Sequence, residues 1–452
     1  MSANLGPQWP TRLPLLVLLL LIAVGAFGVA PILAVSVPLT LLLVVAAAAT
    51  QSRGSESSLT RPVAVVVALL GVLVALPLVV LAVPDAPVVL PVVVVVVLMV
   101  SSTMATYWPR TFYFHLALMA GYLVTMIDRI PPKGDVPILV EDSLDALLRG
   151  VNPYSLTFPN PYNAEETAKY WSPEFIDGDQ LDVGYPYLPG SLFADLPGHL
   201  LGDVRYASAL AVLLTTALAW RLTSDSVGRA VVAALPANVL AVITVVGYWV
   251  EPLMLLGVGV VAFAMARGKP GLGAIGLMLL LTTKQYAVVL VPLEKQIRAR
   301  LGNTCLLAAV GASALLVTGF FLLGPADFWR SVVMLHLGQP FRSDSVSLTV
   351  DLVGAGVPIP VDAMSVLSVA AGLAVSFWIR RTAPPSATWT ALGVGLALLA
   401  TVLLSKQGSV NYYFLIYGCL VVGVAAWPRD LGMSPDRPMD GGREPSLVER
   451  DH

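Results

Sequence analysis

Charge is what this chain is most short of. Only 12% of its 452 residues are Asp, Glu, Lys or Arg, against 57% hydrophobic residues and a mean hydropathy of +0.82. That balance excludes an ordinary soluble domain and predicts an all-α polytopic membrane protein. The formal net charge of -2, with no basic face along the chain, gives no reason to expect a nucleic-acid partner. Cysteine is nearly absent. Cys305 and Cys419 both sit in apolar runs, which offers neither a disulfide framework nor a metal-ligand spacing and reads as two buried, inert thiols. A Gly-rich dinucleotide fingerprint, a Walker loop, zinc-ligand spacing and a Gly-x-Ser-x-Gly elbow are also missing.

What the chain has instead is a succession of apolar runs near the length of about 20 residues that a membrane crossing requires. Spans are expected at roughly 13–29, 31–49, 63–83, 88–106, 111–127, 204–221, 230–248, 250–266, 271–283, 286–294, 304–323, 363–379, 388–404 and 410–427, about fourteen in all. The first run continues through Val29 and is followed by more spans, so it reads as a retained anchor. Lys and Arg in short loops mark the cytoplasmic side. Arg12, Arg53, Arg61, Arg110, Arg221, Arg229, Arg267, Lys269, Lys295, Arg298, Arg300, Arg380, Arg381 and Arg429 share one face if the N-terminus is inside. The expectation is a multi-pass plasma-membrane protein with both termini cytoplasmic. Its tail, 428–452, is polar and Pro/Gly-rich and reads as disordered.

Two long polar segments, 128–203 and about 324–362, fall on the opposite, external face. Loops of this length in a compact bundle usually carry function. The first opens on "DRIPPKGDVPILVEDSLDALLRGVNPYS", which holds five acidic residues. Within it Val140, Leu144, Leu147, Leu148 and Val151 recur at helical spacing, with Glu141, Asp142, Asp145 and Arg149 on the other face. A second apolar face, Leu188, Leu192, Phe193, Leu196 and Leu200, predicts another interfacial helix over 188–201. Glu141 and Asp142 read as acids at a helix N-terminus, and Asp145 with Arg149 as an i, i+4 surface pair.

An acidic residue delivered by a membrane helix, an amphipathic helix, "GVNPY", "YPYLPGSLFADLPGHLLGDVR" and a second membrane helix resemble the polyprenyl-phosphate-sugar-dependent glycosyltransferases of the GT-C fold. The similarity is to the actinobacterial mannosyltransferase-like branch, near glycosyltransferase family 87. "GYWVEPLMLLG", "TTKQYAVVLVPL" and "SKQGSVNYYFL" stand where that group carries a helix-end acid, a lysine before a broken span and a late Asn-Tyr-Tyr. The resemblance covers about 111–427. It divides the chain into an extra N-terminal block of spans, 1–110, a core, 111–323, the external loop 324–362 and C-terminal spans, 363–427.

The resemblance implies transfer of a sugar, mannose first, from a polyprenyl phosphate donor to a glycolipid or cell-envelope glycan acceptor at the external membrane surface, with no other cofactor. A carboxylate there would act as general base. Asp135 fits the motif position best and Asp128 follows; the plain alternatives are a turn residue for Asp135 and an interfacial partner of Arg129 or Lys133 for Asp128. The leaving phosphate would need cationic donors, for which Lys284, His336, Arg342 and Lys406 are candidates. Lys284 lies between two short apolar pieces, where it either serves the site or pairs with a carboxylate such as Glu251. Arg342 either clamps phosphate or pairs with Asp344, and Lys406 either binds or snorkels. Glu251 could orient the acceptor or cap its helix. Among the external aromatics, Tyr185, Tyr187 and Asn411 beside Tyr412 are the sugar-binding candidates. "EFIDGDQLD" lacks the spacing of an EF-hand, so no metal site is expected. The competing class is a transporter or lipid flippase, which shares the broken helices and intramembrane charge.

Overall fold

The structure is a computed structural model that describes residues 89–430 together with Ala64, Leu69 and Val72. The expected spans 13–29, 31–49 and 63–83 lie outside those residues, apart from these three helical positions, and so does the tail from 431 onward.

Two membrane helices come first, α1 (Val89–Tyr107) and α2 (Phe112–Arg129), separated by a turn at Pro109. The first loop follows. It contains α3 (Val136–Leu148), α4 (Ala164–Tyr170), a three-stranded antiparallel ribbon in the order β1 (Phe158–Pro159), β3 (Gln180–Leu181), β2 (Ile176–Asp177), and α5 (Pro189–Leu200). The bundle resumes with α6 (Arg205–Trp220), α7 (Ser226–Ala234), α8 (Val239–Val246), α9 (Glu251–Arg267) and α10 (Pro270–Thr283). A 3-10 segment, Gln285–Leu293, leads into α11 (Glu294–Leu323). An irregular helical stretch over 325–338 and α12 (Leu348–Gly354) form the second loop, before α13 (Val361–Thr382), α14 (Ala387–Leu404) and α15 (Val410–Asp430).

This is a helical membrane protein: among the described residues seven helices are long and apolar enough to cross a membrane, or eight if α5 and α6 count together. Fourteen spans are therefore not seen as such. Besides the N-terminal runs outside the described residues, α6, α9 and α10 have 16, 17 and 14 residues and are too short to meet that measure. The expected span 230–248 is one of the seven, Ser226–Val246, interrupted at Pro236 and Asn238 into α7 and α8, with the Asn238 side chain capping α8 by accepting from the Leu240 amide at 2.9 Å. The half-length piece 286–294 is the 3-10 segment, and α11 is kinked at Gly302, whose φ of 79° is open to glycine.

The end of α2 meets the start of α6, where Arg205 donates to the Ile130 carbonyl at 2.7 Å. The expected interfacial helix over 188–201 is α5, and its axis is turned 107° from that of α6. Helix α3 begins earlier than the apolar spacing suggested. Pro137 sits in its first turn and Asp135 precedes it, so Glu141 and Asp142 are in the second turn and not at the dipole end. The loop region has its own small core of Leu139, Phe158, Trp171, Phe175, Leu181, Val183 and Leu335. "EFIDGDQLD" forms the β2–β3 hairpin with Gly178 at a φ of 56°.

Candidate functional site

The two motifs of the first loop are one structural unit. Tyr154 of the Asn-Pro-Tyr turn donates its phenol to the carbonyl of Tyr187 at 2.9 Å, and the Tyr185 amide donates to the Pro153 carbonyl at 3.1 Å. A side chain at Gly184 would meet the Tyr154 backbone at 2.1 Å, so only glycine lets these strands of chain cross. At the other end Gly190 lets α5 rest on Thr282, and the Leu188 amide reaches the Thr283 carbonyl at 3.3 Å. The "YPYLPG" stretch is thereby clamped against the C-terminal end of α10, where Lys284 stands.

Lys284 is nearly buried, with 5% of its surface exposed. Its ammonium lies 2.6 Å from Glu251 Oε1, which also accepts from the Tyr286 phenol at 3.1 Å. Three rings surround the charge: Tyr412 at 4.8 Å, Tyr187 at 5.1 Å and Tyr286 at 5.3 Å to their centroids. Ion pair and ring faces together offset the cost of removing an ammonium from water. Glu251 Oε2 has no partner among the described residues.

Lys284 forms the floor of a polar cavity of about 140 Å³, whose walls include Tyr187, His336, Arg342, Asn411 and Tyr412. Five candidates separated by up to 224 positions, from Tyr187 to Asn411, thus meet in one place, with Glu251 directly behind. His336 donates from Nε2 to the Pro186 carbonyl at 2.8 Å. Burial lowers its pKa to about 4, so it is neutral and its Nδ1 is an acceptor. Asn411 is buried, and its Oδ1 has no partner among the described residues. Arg342 grips Asp344 through Nε and Nη2 at 3.0 and 2.8 Å and covers the Tyr170 ring at 4.4 Å. Asp344 also takes Lys169 at 3.2 Å; burial opposes ionisation, yet the two cations hold its pKa down to about 2.

Asp135 is beside this cavity without lining it. Its two carboxylate oxygens accept from the Tyr162 phenol and the Trp171 indole, each at 3.1 Å. Tyr162 packs on Tyr170 at 4.9 Å, the ring that carries Arg342, so two rings connect Asp135 to the cavity's Arg342. Burial pushes the Asp135 pKa above the usual carboxylate range, outweighing both hydrogen bonds.

The remaining candidates lie elsewhere. Asp128 is exposed and accepts from Tyr206 at 3.2 Å, not from Arg129 or Lys133. Tyr185 is fully buried behind the site, bonded to Ser191 at 2.9 Å. Lys406 donates to the Leu337 carbonyl at 3.0 Å, while its own carbonyl receives the Arg342 amide at 3.3 Å, so it props the rim. His199 places Nδ1 2.5 Å from Glu141 and Nε2 3.0 Å from Asp145, a bridge between α3 and α5 that helix periodicity could not reveal. The Asp145–Arg149 pair forms as expected, at 3.9 Å. Sequence reasoning passed over Trp249, Gln339, Ser345, Gln407 and Ser409, which also line the cavity. Gln407 and Ser409 lie within the quoted "SKQGSVNYYFL" string, but as neutral residues they carried no charge signal.

No family model matches this chain, no curated protein matches it, and no solved structure matches it.

Proposed function

We propose that this chain is a membrane glycosyltransferase of the GT-C type. It moves a sugar, mannose first and arabinose second in preference, from polyprenyl phosphate to a lipid-linked or cell-envelope glycan acceptor. An external active site, cytoplasmic termini and a total of about fourteen spans belong to the same reading. One observation carries it: a donor-rich polar cavity holding Lys284 and Arg342 sits where membrane helices end, and Asp135, a half-buried carboxylate with a raised pKa, is linked to it through Tyr162 and Tyr170.

In this reading Asp135 takes the proton from the acceptor hydroxyl as its oxygen bonds to the anomeric carbon. The bond from that carbon to the phosphate oxygen breaks, and the electron pair leaves with the polyprenyl phosphate. Lys284 and Arg342 stabilise the charge gathering on the phosphate. A single displacement of this kind inverts the anomeric centre. One observation favours a transporter or flippase instead: the Lys284–Glu251 pair lies at the break between α10 and the 3-10 segment, and transporters build sites at broken helices.

The test is transfer of labelled mannose, and separately arabinose, from polyprenyl-phosphate donors in membranes holding equal amounts of wild type, Asp135→Asn and Asp128→Asn. Loss of the base lowers transfer by about 10²–10⁴ in Asp135→Asn, while Asp128→Asn keeps wild-type activity. Wild type that transfers neither sugar, or Asp135→Asn at the wild-type rate, overturns the reading in favour of transport.

A further inference from the structure

The end of the bundle opposite Lys284 holds a second polar cavity. Helix α9 connects the two: Glu251 at its first residue backs Lys284, and Arg267 at its last lines the other cavity, about 25 Å away at 1.5 Å per residue. This cavity, of about 350 Å³, is formed by Tyr113 of α2, Arg221 and Thr223 after α6, Arg229 of α7 and Arg267. Three guanidinium groups from three elements converge there. None of the three forms an ion pair with a carboxylate among the described residues. Arg221 donates to the Tyr113 phenol at 2.6 Å, and Arg267 lies over the Phe263 ring at 5.6 Å. The nearest acid in sequence, Asp225, accepts from the Gly228 amide at 2.8 Å as the N-cap of α7.

Arginine on the inner face of a membrane protein is ordinary when each side chain faces water alone. Convergence of three on one concavity is different, because like charges held together repel unless an anion sits between them. Guanidinium forks suit phosphate oxygens by geometry. The cavity also lies at helix ends, and its lining Tyr113 and the neighbouring Phe114 on α2 are exposed aromatic rings of the kind found at membrane interfaces. A soluble phosphate would not use those rings. We infer that Arg221, Arg229 and Arg267 form a binding site for the phosphate headgroup of an anionic membrane lipid, with acyl chains lying along α2. The site is separate from the Lys284 cavity and does not depend on sugar transfer.

The full chain purified in neutral detergent tests this with three probes: cardiolipin, phosphatidylcholine and inorganic phosphate. Native mass spectrometry counts retained lipid and thermal melting reads its effect. The expected result is one cardiolipin retained and an upward shift of the melting temperature, neither seen with phosphatidylcholine. The Arg221→Gln/Arg229→Gln/Arg267→Gln variant loses retention at least tenfold, and the matching triple Lys variant, which keeps the charge without the fork, retains an intermediate amount. If the triple Gln variant does not fold, Arg267→Gln alone, at an exposed helix end, is read instead and lowers retention severalfold. Equal retention of phosphatidylcholine, undiminished cardiolipin on the Gln variants, or displacement of cardiolipin by millimolar inorganic phosphate overturns the assignment.

Discussion

Lys284 was legible as a residue in the wrong place, because an ammonium between two apolar runs demands an explanation from sequence alone. Its partner was legible only as one of several acids, since the 33 positions to Glu251 are bridged by tertiary folding. The pair sets a clear expectation. Lys284→Met leaves Glu251 buried and unpaired and destabilises the protein by about 3–5 kcal/mol. Adding Glu251→Leu restores most of that stability, read by thermal melting, without restoring transfer. A single variant as stable as wild type would show that water reaches the pair. The Asp135 carboxyl gives a second expectation at this scale. A base works only when ionised, so a raised pKa places the acidic limb of kcat/KM above the ordinary carboxylate value of about 3.9. The Tyr162 hydrogen bond favours the ionised form, so Tyr162→Phe moves the limb to still higher pH. A limb that stays put or moves down would remove Asp135 from the base position.

Among the elements, six of the seven described helices long enough to cross a membrane match an expected span to within a few residues, and the seventh, Gln285–Leu323, joins two expected pieces. What hydropathy cannot supply is the break. Pro236 and Asn238 split a run that is apolar throughout, and Pro137 starts α3 before its apolar periodicity becomes visible. The apolar face of α3 was meant for the membrane interface, yet Val140 and Leu144 are fully buried in protein while Leu148 and Val151 are exposed. The His199 bridge to Glu141 and Asp145 explains that placement, since it fixes α3 on α5. The contact of α5 with α10 has a direct test. In Gly190→Ala the new methyl would stand 2.0 Å from Thr282 Oγ1 and 2.8 Å from the Thr282 carbonyl, so the elements must separate. Overpacking of this kind costs about 1–3 kcal/mol. Sugar transfer should fall further than stability does, because Tyr187 and Lys284 move apart; a variant with lowered melting temperature and full activity would detach α5 from the site.

Across the whole molecule, Arg221, Arg229 and Arg267 gather at one end of the bundle and Lys284, His336 and Arg342 at the other. The charge distribution in short loops assigns the first end to the cytoplasm, and labelling tests that assignment. Both native cysteines are buried, so introduced ones report alone. Gln339→Cys should react with an impermeant maleimide on intact cells, and Lys269→Cys only after the membrane is opened; the reverse pattern would invert the topology. The cap above Lys284 is stitched from two loops, through Ser172 to the Gly338 carbonyl, Lys169 to Asp344 and Arg330 to Asp182. This has a consequence for biosynthesis. Ser172 and Gly338 are 166 positions apart. At about 5–20 residues per second the first loop waits on the order of ten seconds or more for the second to be synthesised. During that interval Trp171 and Phe175 lack the Leu335 that completes their core. A nascent chain halted before residue 324 would expose an unfinished aromatic surface, which is where a chaperone on that side of the membrane would engage it.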